Sequence, residues 1–165
     1  MSIDDDIRLL RSVPMLALLG REPLRILAIG AENRYVHEGE VLFRAGDRAD
    51  AGYVVQEGAF RLTRPRQEEA PVDVGPGTLL GELALVAEGR RSMTVTALEP
   101  SSVIRIPRLL FLKILEGYPE LALRLRELIA QRTTRMMRDL SLVRAKLATI
   151  EDQKRPAPAP PATEG

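Results

Sequence analysis

The chain has no cysteine and only one histidine, His37. Without cysteine there is neither a disulfide framework nor thiol chemistry. One imidazole cannot supply the two or three histidine ligands that a metal-dependent enzyme on a small barrel needs, and no second base stands ready to activate a serine. His37 is therefore expected at an exposed turn, and no enzyme activity, metal or cofactor is expected. An excess of one charge is also missing: the formal net charge is +1, so no strong field draws the chain toward nucleic acid or membrane. No apolar run approaches the length of a membrane span. Asp4, Asp5 and Asp6 stand where a signal sequence would need basic and apolar residues, which makes the cytoplasm the expected compartment.

What is present is 165 residues with 45% hydrophobic content, enough for one domain with a core. Residues 1–34 read as short helices broken at Pro14 and Pro23, with Ile7, Leu10, Leu16, Leu19, Leu24, Leu27 and Ile29 as their apolar set. The three aspartates suit a helix start. From 35 to 107 the pattern becomes short apolar runs separated by glycines, which predicts an all-β barrel or jelly-roll-like sandwich. Residues 41–44, 53–56, 59–63 and 103–106 are its clearest strands, and 64–71 reads as a polar hairpin tip.

Within that region, 81–95 is the one stretch where glycine, acid, base and hydroxyl sit together in apolar surroundings. Gly77 and Gly81 interrupt a strand pattern, and the residues that follow, Glu82, Leu83, Ala84, Leu85 and Val86, are long enough for about one helical turn. The unpaired N–H groups at the start of such a turn attract phosphate. Arg91 follows a second glycine break and can offer a planar, permanently charged fork to phosphate oxygens. Ser92 adds a hydroxyl. Glu82 would repel a phosphate unless it is aimed elsewhere, and a sugar hydroxyl is the natural target. Acid, arginine and N–H groups at this spacing describe a nucleotide whose sugar and phosphate lie close together, a cyclic nucleotide. Taken singly, a Gly-Glu-Leu or an Arg-Arg after glycine is an ordinary solvated turn; the joint spacing carries the reading.

Gly81-Glu82-Leu83-Ala84-Leu85, a variable stretch, then Arg91-Ser92-Met93-Thr94-Val95 resembles the phosphate-binding cassette of cyclic-nucleotide-binding domains, as in catabolite-activator-type regulators, protein kinase A regulatory subunits and gated channels. Val13-Pro14, the run from Glu38 to Asp47 and the run from Tyr53 to Gly58 fall in that family's order, so the resemblance spans 9 to about 140. It implies a mainly β fold with flanking helices, a double-stranded β-helix (jelly-roll-like β-roll), and a long C-terminal helix. It further implies that Glu82 holds the ribose 2′-hydroxyl, that Arg91 holds the cyclic phosphate, and that Gly81, Leu83, the Ala84 N–H and Ser92 complete the site. It also implies that Arg132 pairs with Glu82 and steadies it, and that Met136 or Met137 lies against the base. Two positions depart from the family: Arg90 stands where proline is usual and Met93 where a small alanine is usual. The expected ligand is cyclic AMP, with cyclic GMP the alternative.

Residues 108–150 read as C-terminal helices, a short apolar one at 109–115 and a long one with Pro119 in its first turn. Ile129, Thr133, Met136, Leu140, Val143, Leu147 and Ile150 keep four-three spacing, a coiled-coil seam that predicts a homodimer. Asp139 with Arg144 and Lys146 with Glu151 would pair across it. A helix lying on its own barrel gives a similar stripe. Residues 151–165 form a proline- and alanine-rich tail expected to be disordered. No stretch has the length or basic recognition helix of a DNA-binding domain, so no direct DNA binding is expected. The expected role is a cyclic-nucleotide sensor that moves its C-terminal helix against an unidentified effector protein. The competing expectation is a ligand-free β-roll dimer that serves as a protein-interaction module.

Overall fold

The computed structural model describes residues 2–65 and 70–131. Ser2 opens the first helix, α1 (Ile3–Ser12): its hydroxyl accepts from the Asp5 N–H at 3.2 Å while the Asp5 carboxylate accepts from the Ser2 N–H at 3.3 Å. This reciprocal cap satisfies two donors that a helix start leaves free. Asp4 remains exposed, whereas Asp6 turns inward, buried, and accepts from Gln56 Nε2 at 2.9 Å. Pro14 stands at the first position of α2 (Pro14–Ala17). Pro23 does not break the chain as expected. It is buried in the first turn of α3 (Arg21–Gly30), where an N–H would have no helical partner in any case.

Eight strands are present among the described residues: β1 (Glu32–Val36), β2 (Val41–Phe43), β3 (Ala51–Glu57), β4 (Phe60–Thr63), β5 (Val72–Val74), β6 (Leu79–Leu80), β7 (Thr94–Ala97) and β8 (Ser101–Pro107). They form two antiparallel sheets, ordered β1-β8-β3-β6 and β2-β7-β4-β5. Val36, Leu42, Tyr53, Val55, Phe60, Leu80, Val95 and Val103 fill the core between them. This is the expected β-roll with flanking helices. It begins at Glu32, inside the segment read as helical from sequence, because Glu32 to Val36 pair in register with Arg105 to Ser101.

β3 is buried from Ala51 through Gln56. Alternation sends Ala51, Tyr53 and Val55 to the core between the sheets and Gly52, Val54 and Gln56 to the opposite face, where Gln56 meets Asp6 of α1. Leu85 packs against the same outer face: a Cβ on Gly52 would meet Leu85 Cγ at 3.0 Å. The glycine thus lets the 81–91 segment lie close to the sheet.

α4 (Arg108–Gly117) follows β8 directly and buries Phe111 and Ile114. Residues 119–131 are helical, with Pro119 at the start. The chain divides into two compact units, 1–124 and 125–165. Of the second, residues 125–131 are described and are helical. The seam positions from Thr133 to Ile150 and the tail at 151–165 lie outside the described residues, as do 66–69 of the expected hairpin tip.

Candidate functional site

The backbone of Arg91 is fixed by a short irregular ladder outside the named strands. The Gly46 N–H donates to the Arg91 carbonyl at 2.8 Å, the Arg91 N–H to the Asp47 carbonyl at 2.8 Å, and the Ala49 N–H to the Gly89 carbonyl at 2.9 Å. Asp47 shapes its own side of this ladder, since its carboxylate accepts the Arg44 N–H at 3.0 Å, a local turn that aspartate favours. On the other side, the Thr94 hydroxyl accepts from the Ala45 N–H at 3.0 Å. Arg90 reaches back across the ladder, its Nη1 donating to the Gly46 carbonyl at 3.1 Å.

The Arg91 side chain runs inward and is only 7% exposed. Its Nη2 donates to the Ala51 carbonyl at 2.7 Å. The guanidinium carbon lies 4.1 Å from the centroid of the Phe43 ring and 5.6 Å from that of Tyr53, near enough for attraction to the ring faces. Nε and Nη1 are buried with no acceptor among the described residues. Burial pushes the Arg91 pKa down, while Tyr53, Asp50 and Asp47 oppose that shift; a guanidinium nonetheless stays charged in proteins. A buried cation with two idle donors is costly in an isolated domain. Two such donors on a permanent cation are able to bond the oxygens of an anion.

Gly81 faces this cation. It adopts φ 76°, the left-handed region, and starts one turn of 3-10 helix, Glu82–Leu85. The single turn expected here is thus present in its tighter form. The Ala84 N–H donates to the Gly81 carbonyl at 3.1 Å, and the Val86 and Ala87 N–H groups donate to the Leu83 carbonyl at 3.2 and 3.0 Å. Glu82 is half-buried, Leu83 and Ser92 are exposed, and Ala84 is buried. Gly81, Glu82, Leu83 and Ala84 therefore form one turn with Arg91 against its first residue and Ser92 adjacent in sequence. Arg132 and Met136 lie outside the described residues.

Sequence reasoning placed no role on Phe43, Tyr53 or Ala51, which cradle the arginine; inward alternation along β3 was the available signal for Ala51 and Tyr53, while an irregular register between Val41 and Phe43 hides Phe43. It also missed two arginines. Arg105 shares the register of Tyr53 and bonds Glu32 at 3.4 Å and Asp50 at 3.2 Å. Burial lowers its pKa, but the Tyr53 hydroxyl and the two carboxylates outweigh that effect and raise it overall. Arg108 bonds three main-chain carbonyls, those of Ala49, Ala84 and Ala87. His37 is exposed beside a turn, as expected, with its ring edge-on to Tyr35 at 4.7 Å.

The model of the cyclic nucleotide-binding domain matches residues 33–118. The chain belongs to the cyclic nucleotide-binding domain family. The matched span of this cyclic nucleotide-binding domain holds both sheets but for Glu32 at the start of β1, together with the 81–91 segment and all of α4. Among solved structures, it resembles a cyclic nucleotide-binding-like protein from Brucella abortus, 41% identical with a TM-score of 0.61, covering 68% of this chain and 99% of that one. It also resembles the N-terminal domain of a transcriptional regulator from Streptomyces coelicolor, 33% identical with a TM-score of 0.69, covering 78% of this chain and 94% of that one. Among curated proteins, Lysophospholipase NTE1 of Pyricularia oryzae is 34% identical over 110 residues, which are 64% of this chain and 7% of that protein. The chain thus spans a small fraction of that relative's length. Among the described residues no group of three His, Cys, Asp or Glu side chains could hold a metal ion, and no helix is long and apolar enough to cross a membrane.

Proposed function

We propose that this domain is a regulatory sensor that binds cyclic AMP, with Arg91 holding the cyclic phosphate and Glu82 the ribose 2′-hydroxyl. The observation that carries the reading is the buried Arg91 guanidinium, its Nε and Nη1 without an acceptor among the described residues, set against Gly81 at the start of the turn. A phosphate at this point would relieve both idle donors in a site sheltered from water, where charge-assisted bonds are strongest. The Ala84 N–H, now turned to Gly81, would serve the phosphate once the turn opens by one bond, and Ser92 would add its hydroxyl. Arg132 and Met136 are proposed to approach the base from the C-terminal helix.

The chain itself is read as non-catalytic. Ligand is proposed to move the C-terminal helix, which requires that it bind one helix position more tightly than the other. That helix is also the proposed dimer contact. The similarity to lysophospholipases favours a lipid hydrolase as the effector, on the same chain or a separate one.

Thermal unfolding with no ligand, cyclic AMP, cyclic GMP and 5′-AMP tests the reading. At about a hundred times its dissociation constant, a ligand stabilises the fold by ~2.7 kcal/mol, a shift of several degrees in a domain of this size. The expected result is a rise with cyclic AMP, smaller with cyclic GMP, absent with 5′-AMP and lost in Arg91→Ala. No rise with either cyclic nucleotide in the folded protein would leave the β-roll as a protein-interaction module.

A further inference from the structure

Arg108 is the first residue of α4, yet its side chain points back into the 81–91 segment. A single nitrogen, Nη1, donates to the carbonyls of Ala49 at 2.7 Å, Ala87 at 3.1 Å and Ala84 at 3.4 Å. Its backbone N–H donates to the Asp50 carbonyl at 2.9 Å. No carboxylate forms an ion pair with it among the described residues. Its charge is directed wholly at main-chain oxygens, two of them at the C-terminal end of the 3-10 turn and just beyond it, where unpaired carbonyls gather negative charge.

Those three acceptors belong to two different pieces of the site. Ala84 and Ala87 carry the turn that starts at Gly81. Ala49 belongs to the ladder that fixes Arg91, through its N–H on the Gly89 carbonyl and the neighbouring Asp47 rung. We propose that Arg108 is a positioning residue for the anion site: it sets the distance between the turn and Arg91 without touching ligand, and it links displacement of the turn to the start of α4. The proposal rests on the nucleotide reading above.

Two features make the link directional. The Ala49 bond is short and is reinforced by the Arg108 N–H on Asp50, so this side acts as the anchor. The Ala84 and Ala87 bonds are longer and share a nitrogen that carries two hydrogens for three acceptors. A turn that swings to offer the Ala84 N–H to a phosphate carries the Ala84 carbonyl with it. The loose bonds on Nη1 then redistribute, and the strain falls on the first residue of α4.

The test uses Arg108→Met, which keeps the length of the side chain without its donors, and Arg108→Lys, which keeps a cation able to reach several carbonyls. Calorimetric titration gives cyclic AMP affinity, and amide exchange reads residues 82–89 and 108–117 with and without cyclic AMP. Arg108→Met is expected to bind about tenfold more weakly and to lose the ligand-dependent exchange change at 108–117 while keeping it at 82–89. Arg108→Lys is expected to restore part of both. If Arg108→Met lowers the unfolding temperature but leaves the affinity within twofold and the exchange change at 108–117 intact, Arg108 is a structural residue and the proposal is wrong. If the wild-type protein binds no nucleotide, the functional reading fails on its own. The positioning claim then rests on ligand-free exchange of the Ala49, Val86 and Ala87 amides. They should exchange faster in Arg108→Met and regain protection in Arg108→Lys; unchanged rates would overturn it.

Discussion

Arg91 Nη1 lies so close to Gly81 that a methyl group on Gly81 would occupy the space of that nitrogen. The bare Cα leaves the room that the guanidinium occupies. Gly81→Ala would displace the guanidinium and place a side chain at φ 76°, where the left-handed conformation costs about 1–2 kcal/mol. The expected outcome is a folded protein, destabilised by roughly that amount in urea unfolding, with cyclic AMP binding lost. Full retention of affinity would mean that the ligand does not use the Arg91 donors beside Gly81.

Arg91 is expected to work against the stability of the ligand-free fold. It buries a cation that keeps one main-chain acceptor, the Ala51 carbonyl, and leaves two nitrogens without an acceptor among the described residues. Replacing a poorly paired buried charge by an apolar group of similar volume is often neutral or stabilising by about 1–4 kcal/mol. Methionine can still pack against Phe43 and Tyr53. Arg91→Met should therefore unfold at the same urea concentration as the wild type or a higher one, and should gain nothing from cyclic AMP. A large loss of ligand-free stability would show that the arginine is there for the fold.

The sequence singles out Gly81 and Arg91 for reasons different from the contacts that bring them together. Gly81, Glu82, Arg91 and Ser92 bring glycine, acid, base and hydroxyl together in an apolar stretch, so their joint spacing suggests a phosphorylated ligand. The cradle was not legible. Phe43 and Tyr53 look like ordinary strand residues until register puts both beside Arg91. Arg108 gives no local signal, because its partners are backbone oxygens 59, 24 and 21 positions away. β3 reads shorter in the sequence than it is, since Ala51 and Gly52 lack the bulk that marks a strand; the structure needs Gly52 small beneath Leu85, and takes the Ala51 carbonyl as the Arg91 acceptor. β6, with two residues, is too short to show any periodicity.

The Asp6–Gln56 pair joins α1 to β3 and is buried on both sides. Asp6→Ala would leave the Gln56 amide without its partner, which costs about 1–3 kcal/mol. Asp6→Asn keeps an acceptor of the same shape and should recover most of that loss. Urea unfolding of the two variants checks this, and equal stability of the alanine and asparagine forms would show that the bond contributes nothing.

Two exposed carboxylates should make small contributions to the acid response. The Asp5 pKa is lowered by the Ser2 hydroxyl, then by the Ser2 backbone N–H, despite a small opposing effect of desolvation. The Asp73 pKa is lowered by its hydrogen bond from Arg61, at 2.9 Å. A carboxylate whose folded pKa lies below its unfolded one adds stability at pH values above the unfolded pKa, near 3.9 for aspartate. That stability disappears as pH falls from there through the lowered folded value. Asp5→Asn and Asp73→Asn should each be less stable than the wild type at pH 7 and should converge with it as pH falls below the lowered folded pKa. Because both groups are exposed, the gap at pH 7 should be small and should narrow further in high salt for Asp73. Urea unfolding across pH 2 to 7 checks both variants; a gap that widens toward acid would show that the carboxylates are not held by the partners seen here.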